Sequence, residues 1–286
     1  MLKEIKIKNF LSILDTSIKL SRINVFIGKN NSGKSNILKA LKFADLIESY
    51  KNLNVGVLND NGIICPNTSS LFFNRNEQRE EVINLELTFF TKKNNYKIRY
   101  NRCCFELDEG VKCEYNNKYI NFTVINSDYY DKISFLSFLC NKDKINLNDI
   151  FHNLFPRENI SIYRIDELSE INLNILFYLA LIVTNEVLNM FAIENFCYNI
   201  DPYLCRYIIP EMFNLCKEKD KQIFITTHNP VVLDSLNLFD DDVHLFEVFK
   251  TDKGDTKTRR IQVKPSFKDK DYKLSELYTS GFLCSF

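Results

Sequence analysis

The chain has 286 residues, and its 37 Lys+Arg balance 37 Asp+Glu, so no global charge directs it to nucleic acid or an anionic surface; only a local basic patch could do so. Its longest apolar stretch, ILFYLALIV at 175–183, is too short to span a membrane and suits a buried core helix. Nine cysteines contain no C-x-x-C pair and are accompanied by only three histidines, which predicts reduced, buried thiols and argues against a disulfide framework or a zinc site.

The N-terminal MLKEIKIKNF alternates apolar and polar residues as a strand and lacks the layout of a secretion signal, which predicts a cytoplasmic protein. RINVFIG predicts a second strand, and Ile37, Leu38, Leu41 and Ala44 place an apolar stripe on the helix after it. Between strand and helix stands GKNNSGKS, in which Gly28, Gly33, Lys34 and Ser35 satisfy G-x-x-x-x-G-K-[ST]. The glycines let the backbone curl until successive N–H groups face a phosphate, and the helix start adds its dipole and unpaired amides. In such a loop Lys34 reaches the β- and γ-phosphates and the Ser35 hydroxyl ligates Mg²⁺. The expected ligands are ATP and Mg²⁺, and the expected nucleotide contacts are Gly28, Asn30, Asn31, Ser32, Gly33, Lys34, Ser35 and Asn36.

Residues 51–127 contain turn-rich NLNVGVLNDNG and PNTSS, then the runs VINLELTFF, YKIRYNRCCFELD and VKCEYNNKYINFTVI. Their alternation and short spacing predict a β-rich insertion built as an antiparallel meander. Residues 128–165 read as an irregular helical lobe. From 166 onward helices alternate with MFAIE, QIFITT and HLFEVFK, which predicts a parallel sheet. The fold class is therefore α/β, a P-loop NTPase core made of 1–50 and 166–286 with a mixed or parallel sheet, interrupted by the β subdomain and the lobe. KTDKGDTKTRR at 250–260 predicts a hairpin, and its Lys257, Arg259 and Arg260 form either a solvated edge or a phosphate-binding surface.

A phosphate loop needs an acid at the end of a later strand to hold the Mg²⁺ shell, and Glu194 closes the apolar MFAI. His228 follows the strand IFITT, where a histidine either satisfies the structure or sits beside a γ-phosphate.

The chain resembles the ATP-binding-cassette ATPases of the RecF/SMC/OLD type, common in bacterial defence and DNA transactions. The resemblance rests on GKNNSGKSN as Walker A, IENFCYNIDP as Walker B with D-loop, FITTHNPVVLD as the switch-histidine segment, and LSELYTSGF as the C-terminal close. It implies a head that dimerises head-to-tail around two ATP molecules, each site combining the Walker A of one subunit with a signature loop L-S-x-G from the other. The matching signature here is LSEI, in which Leu168 and Ser169 agree and Ile171 replaces the glycine, carrying a branched side chain toward the space of the partner's phosphate. Aligned on the D-loop Asp201, Glu194 takes the magnesium role and Asn195 stands where the family has its catalytic glutamate; Asn orients water but accepts no proton. Hydrolysis is expected to be slow or to depend on another residue such as His228. The family's Q-loop glutamine has two candidates, Gln78 and the polar turn at 126–128.

No nuclease-like tail follows His228 and no sustained heptad marks a coiled-coil arm. The expectation is a nucleotide-gated dimeric sensor or scaffold of a defence or DNA-maintenance complex, with the effector on a separate protein. The alternatives are a DNA-stimulated repair or remodelling ATPase, and a head that binds ATP only to fold.

Overall fold

The computed structural model describes residues 1–50, 53–73, 82–89, 93–100, 105–107, 123–126, 132, 136–137, 168–184, 189–198, 200–263 and 273–280. Two sheets enclose one helix. The first is antiparallel, in the order β2-β1-β4-β5-β6, from β1 (Leu2–Phe10), β2 (Ile13–Lys19), β4 (Val82–Phe89), β5 (Lys93–Tyr100) and β6 (Phe105–Leu107). The second runs β11-β10-β3-β9-β8-β7, from β3 (Ile23–Ile27), β7 (Thr123–Asn126), β8 (Met190–Glu194), β9 (Gln222–Thr226), β10 (Val243–Lys250) and β11 (Thr256–Ile261). All neighbours in this sheet are parallel except the β10–β11 hairpin.

The parallel sheet is covered on both faces, so its strands are continuously apolar. Ile23, Val25 and Ile27 of β3 face one core with Ile223 and Ile225 of β9 and Phe191 and Ile193 of β8. Against that face pack α3 (Glu170–Val183) and α4 (Pro202–Glu218). Residues Asn174–Ile182 of α3 are all buried, as expected of a helix that is apolar all round. On the opposite face Phe26, Phe224 and Phe246 meet α1 (Lys34–Ser49), which the short α2 (Val55–Asp60) follows; the other side of α1 meets Ile5 and Ile7 of β1 and Ile83, Leu85 and Leu87 of β4. Phe10 stacks on Phe43 with centroids 5.3 Å apart, and Phe26 on Phe246 at 5.2 Å, offset pairs that each add about 0.5–1.5 kcal/mol beyond area burial.

Three features differ from the sequence expectation. ILDTSIK forms a strand, β2, so three strands precede α1 where two were expected. Its buried residues are Ile13, Thr16 and Ile18; the first two are three apart, so the alternation is broken, and the exposed Asp15 and Ser17 disguise the strand as a loop. Both β1 and β2 pair with the antiparallel sheet and not with the strand of the phosphate loop. Thr123–Asn126, expected in the meander, pairs in parallel with β8 as the edge of the second sheet. The predicted lobe at 128–165 lies almost entirely outside the described residues, as does Gln78.

Gln222 joins the two sheets at the start of β9. Its Nε2 donates to Leu2 O at 2.8 Å and Ser21 O at 2.6 Å, and its Oε1 accepts from Leu2 N at 2.8 Å. Gln222→Leu strands these buried backbone groups and is expected to cost about 3 kcal/mol or more. Urea unfolding measures it, and a loss below about 1 kcal/mol would show that the backbone finds other partners.

Candidate functional site

Strands β3, β9 and β8 are adjacent and end level: Phe26 pairs with Thr226, and Ile193 with Ile225. From their carboxyl ends emerge three loops: 28–33, Thr227–Pro230 and the turn that begins after Glu194. Ligands bind at this edge of a parallel α/β sheet. One strand further out Asn126 pairs in register with Glu194, so the 126–128 candidate begins on the same edge, while residues 127 and 128 lie outside the described residues.

The phosphate loop is shaped by close approaches. Gly28 has φ 150°, and a Cβ there would lie 2.1 Å from Val248 O; Gly33 has φ 104°, and its Cβ would lie 2.2 Å from Thr256 Oγ1. Asn31 also has a positive φ, 61°, a conformation that Asn tolerates better than most residues. Helix α1 starts at Lys34 with no capping side chain and no acidic residue in its first turn, so its first amides and dipole face the loop uncontested. Ser35 is exposed at this helix start and Ser32 is buried inside the loop.

Lys34 is 7% exposed, and its Nζ donates to Gly28 O and Lys29 O, both at 2.9 Å. Burial lowers its pKa to about 8. A bound triphosphate favours the charged amine and raises that value, so binding takes up a proton once the pH exceeds about 8. The sign is therefore fixed: affinity falls as pH rises above 8, by up to about tenfold per pH unit. Titrations of ATPγS between pH 7 and 9.5 check it, with calorimetry in buffers of different ionisation enthalpy reporting the proton. A flat profile would show that Lys34 is fully charged before the ligand arrives.

Glu194 Oε1 is buried and accepts no hydrogen bond among the described residues. An orphaned carboxylate oxygen in this place suits a magnesium-bound water, and with the Ser35 hydroxyl it forms an oxygen donor set appropriate to a hard cation. Asn195 is exposed with φ 53°. Its N–H donates to Thr226 Oγ1 at 3.1 Å, the Phe196 N–H donates to Thr226 O at 2.9 Å, and Thr227 Oγ1 donates to Phe196 O at 3.0 Å. Asn229 Nδ2 adds a bond to Cys197 O at 3.0 Å. The loops after β8 and β9 are thus laced together, and Asn195 and His228 belong to one surface. His228 is exposed to solvent. Partial desolvation, and then the charge of Lys34, hold its imidazole below the ordinary histidine value, so the ring is neutral at pH 7 and lies in the field of the loop lysine.

Residues 1–186 match the family model described as an AAA ATPase domain. The chain belongs to that family. As an AAA ATPase domain protein it binds ATP, and its fold is that of the SMC heads. The SMC head domain from Thermotoga maritima superposes with a TM-score of 0.60 at 16% identity, covering 92% of this chain and 99% of that one. An SmcHead bound to the C-winged helix domain of ScpA gives 0.62 at 14%, covering 93% and 99%. A Pyrococcus furiosus Smc head with an extended coiled coil, bound to the C-terminal domain of ScpA, gives 0.59 at 11%, covering 93% and 98%. No curated protein matches the chain in sequence.

The remaining expected residues of this AAA ATPase domain lie farther from the loop in the chain and have local partners. Ser169 is exposed and caps α3, its Oγ accepting from Asn172 N at 3.3 Å. Ile171, at the position of the signature glycine, is half-buried and packs against the core beneath α3. Asp201 is exposed and caps α4, with Oδ1 accepting from Tyr203 N at 2.8 Å. The short helix α5 (Pro230–Asp234) that follows His228 is held to α6 (Leu274–Thr279) by Asp234, which accepts from Ser275 N at 2.9 Å and Ser275 Oγ at 2.7 Å. That gives the LSELYTS segment a structural task. In the basic hairpin, Arg259 pairs with Glu247 at 2.6 Å and Lys257 with Asp255 at 3.5 Å, so two of the three cations considered as a phosphate-binding surface already have carboxylate partners. Cys65, Cys197, Cys205 and Cys216 are buried free thiols, and no group of three metal-binding side chains occurs among the described residues. No described helix is long and apolar enough to cross a membrane.

Proposed function

We propose that this ATPase head is a nucleotide-gated switch that closes head-to-tail on a second copy around two ATP molecules and hydrolyses them slowly. The reading rests above all on the meeting of the phosphate loop, the Glu194–Asn195 turn and His228 at one sheet edge. Ser35 and Glu194 are the residues that would hold Mg²⁺, which when bound neutralises the charge of the β- and γ-phosphates. Lys34 and the amides at the start of α1 bind the phosphates, and an open cavity of about 530 Å³ lined by Ser12, Asn36, Leu11 and Phe72 suits the nucleoside. Asn195 orients the attacking water without taking its proton, and His228, held neutral, is the base within the field of Lys34. Ser169 and Asp201 would reach the other copy's nucleotide across the dimer.

The head serves as the sensor or scaffold of a bacterial anti-phage defence or DNA-maintenance complex whose effector is another protein. Two of the solved heads of this fold carry ScpA domains, which supports partner binding as the output. Pairing of Arg259 and Lys257 within the hairpin favours this reading over a DNA-driven motor. Light scattering with Mg²⁺·ATPγS tests the gate: a mass that doubles with nucleotide, and does not in Lys34→Ala, is expected. A mass that nucleotide leaves unchanged would sink the reading.

A further inference from the structure

We infer that Thr256 and Ser12 are positioning residues of the ATP site, joined to Asn36 in a one-directional hydrogen-bond relay that sets the shape of the phosphate loop. The inference rests on ATP binding at that loop, and neither residue belongs to a nucleotide motif.

Thr256 opens β11 and is fully buried. Its Oγ1 donates to Ser32 O, within the loop, at 3.0 Å. A hydroxyl has one proton, so the 2.7 Å contact between Thr256 Oγ1 and Ser12 Oγ must be a bond donated by Ser12. Ser12 Oγ is then free to accept, and Asn36 Nδ2 donates to it at 2.6 Å. Polarity runs one way: Asn36 to Ser12, Ser12 to Thr256, Thr256 to the loop carbonyl. A return bond, Thr256 N–H to Ser12 O at 2.7 Å, locks the two backbones together.

The relay joins distant parts of the chain at one point. Ser12 sits in the β1–β2 turn, next to Leu11, which has φ 51°. Thr256 follows the β10–β11 turn, which is closed by Thr251 N–H to Asp255 O at 3.0 Å and Gly254 N–H to Thr251 O at 2.8 Å. Asn36 lies in the first turn of α1. The side chain of Thr256 also fills the space beside Gly33, where a Cβ would lie 2.2 Å from Oγ1 and 2.7 Å from Cγ2. Holding Ser32 O toward Thr256 keeps that carbonyl, a repulsive dipole, turned from the phosphates. Preorganised dipoles of this kind are what an anion site requires.

The test compares Thr256→Val, Thr256→Ser, Ser12→Ala and the double variant Ser12→Ala/Thr256→Val with the native protein, using Mg²⁺·ATPγS titration and the thermal unfolding midpoint. Thr258→Val is the control, because its hydroxyl meets Thr16 Oγ1 at 3.3 Å on the same strand but away from the loop. Loss of the Thr256 or Ser12 hydroxyl is expected to weaken binding about tenfold. Thr256→Ser is expected to restore it, and the double variant to bind no worse than about threefold below the weaker single, since both break one relay. Thr258→Val keeps native affinity.

A folded Thr256→Val that binds within about twofold of native overturns the inference, as does a Thr256→Ser that fails to rescue. Should Thr256→Val not fold, Ser12→Ala decides alone, and native affinity in it overturns the proposal. Lys34→Ala separates the two levels: if the native protein binds no more tightly than Lys34→Ala, it is the ATP reading that has failed.

Discussion

Gly33→Ala is expected to weaken ATPγS binding by about a hundredfold or more while the chain remains folded. Gly33 has φ 104°, where an L side chain is strained by about 1–3 kcal/mol. The new methyl would also meet Thr256 Oγ1 at 2.2 Å and Ser12 Oγ at 3.0 Å. Thr256 cannot retreat, because it is buried and its hydroxyl is engaged with Ser32 O and Ser12. The cheaper relief is for the loop to leave its binding shape, and restoring that shape around a triphosphate then costs about 3 kcal/mol, the free energy of a hundredfold. Gly62→Ala is the informative control. Its φ is 81°, but nothing lies within 4 Å of its Cβ, so it is expected to lose about 1 kcal/mol of stability and keep native affinity. Equal affinity in Gly33→Ala and the native protein would show that the loop binds phosphate in another conformation.

The contrast also explains which parts of the site were legible in the sequence. Gly28, Gly33, Lys34 and Ser35 could be read because the demand on each is local: two backbone conformations, a cation and a hydroxyl at fixed spacing. Glu194 and His228 could be read because each follows an apolar run that has to be a buried strand. What escaped is long-range. Ser12 and Thr256 are separated by 244 positions, and a threonine after a Gly-Asp turn carries no local sign of its partner. Strand pairing has the same limit. The alternation in TVIN fits an antiparallel meander as well as the parallel edge it occupies beside β8, since a pleated pattern states which face is buried and not which strand lies alongside. Ile171 illustrates a third limit. Its position in a motif says nothing of how much of the side chain the neighbouring core covers, and the packing of α3 leaves it half-buried.

Asn195→Glu is expected to increase phosphate release by about tenfold or more, and to lower stability by about 1 kcal/mol at the same time. The gain follows from chemistry. Asn195 stands next to Glu194, on the surface shared with His228, and is exposed, so a carboxylate there accepts the proton that an amide cannot. The loss follows from backbone. Residue 195 has φ 53°, in the left-handed region that Asn occupies more readily than Glu. The two effects act in opposite senses on rate and on stability, which makes the pair diagnostic. Steady-state phosphate release and an unfolding midpoint, measured beside Lys34→Ala and His228→Ala, separate them. If native turnover vanishes in His228→Ala and returns in His228→Ala/Asn195→Glu, the imidazole is the resident base and the carboxylate replaces it. If Asn195→Glu loses stability but gains no rate, the attacking water does not lie over residue 195, and Asn is there for its backbone alone.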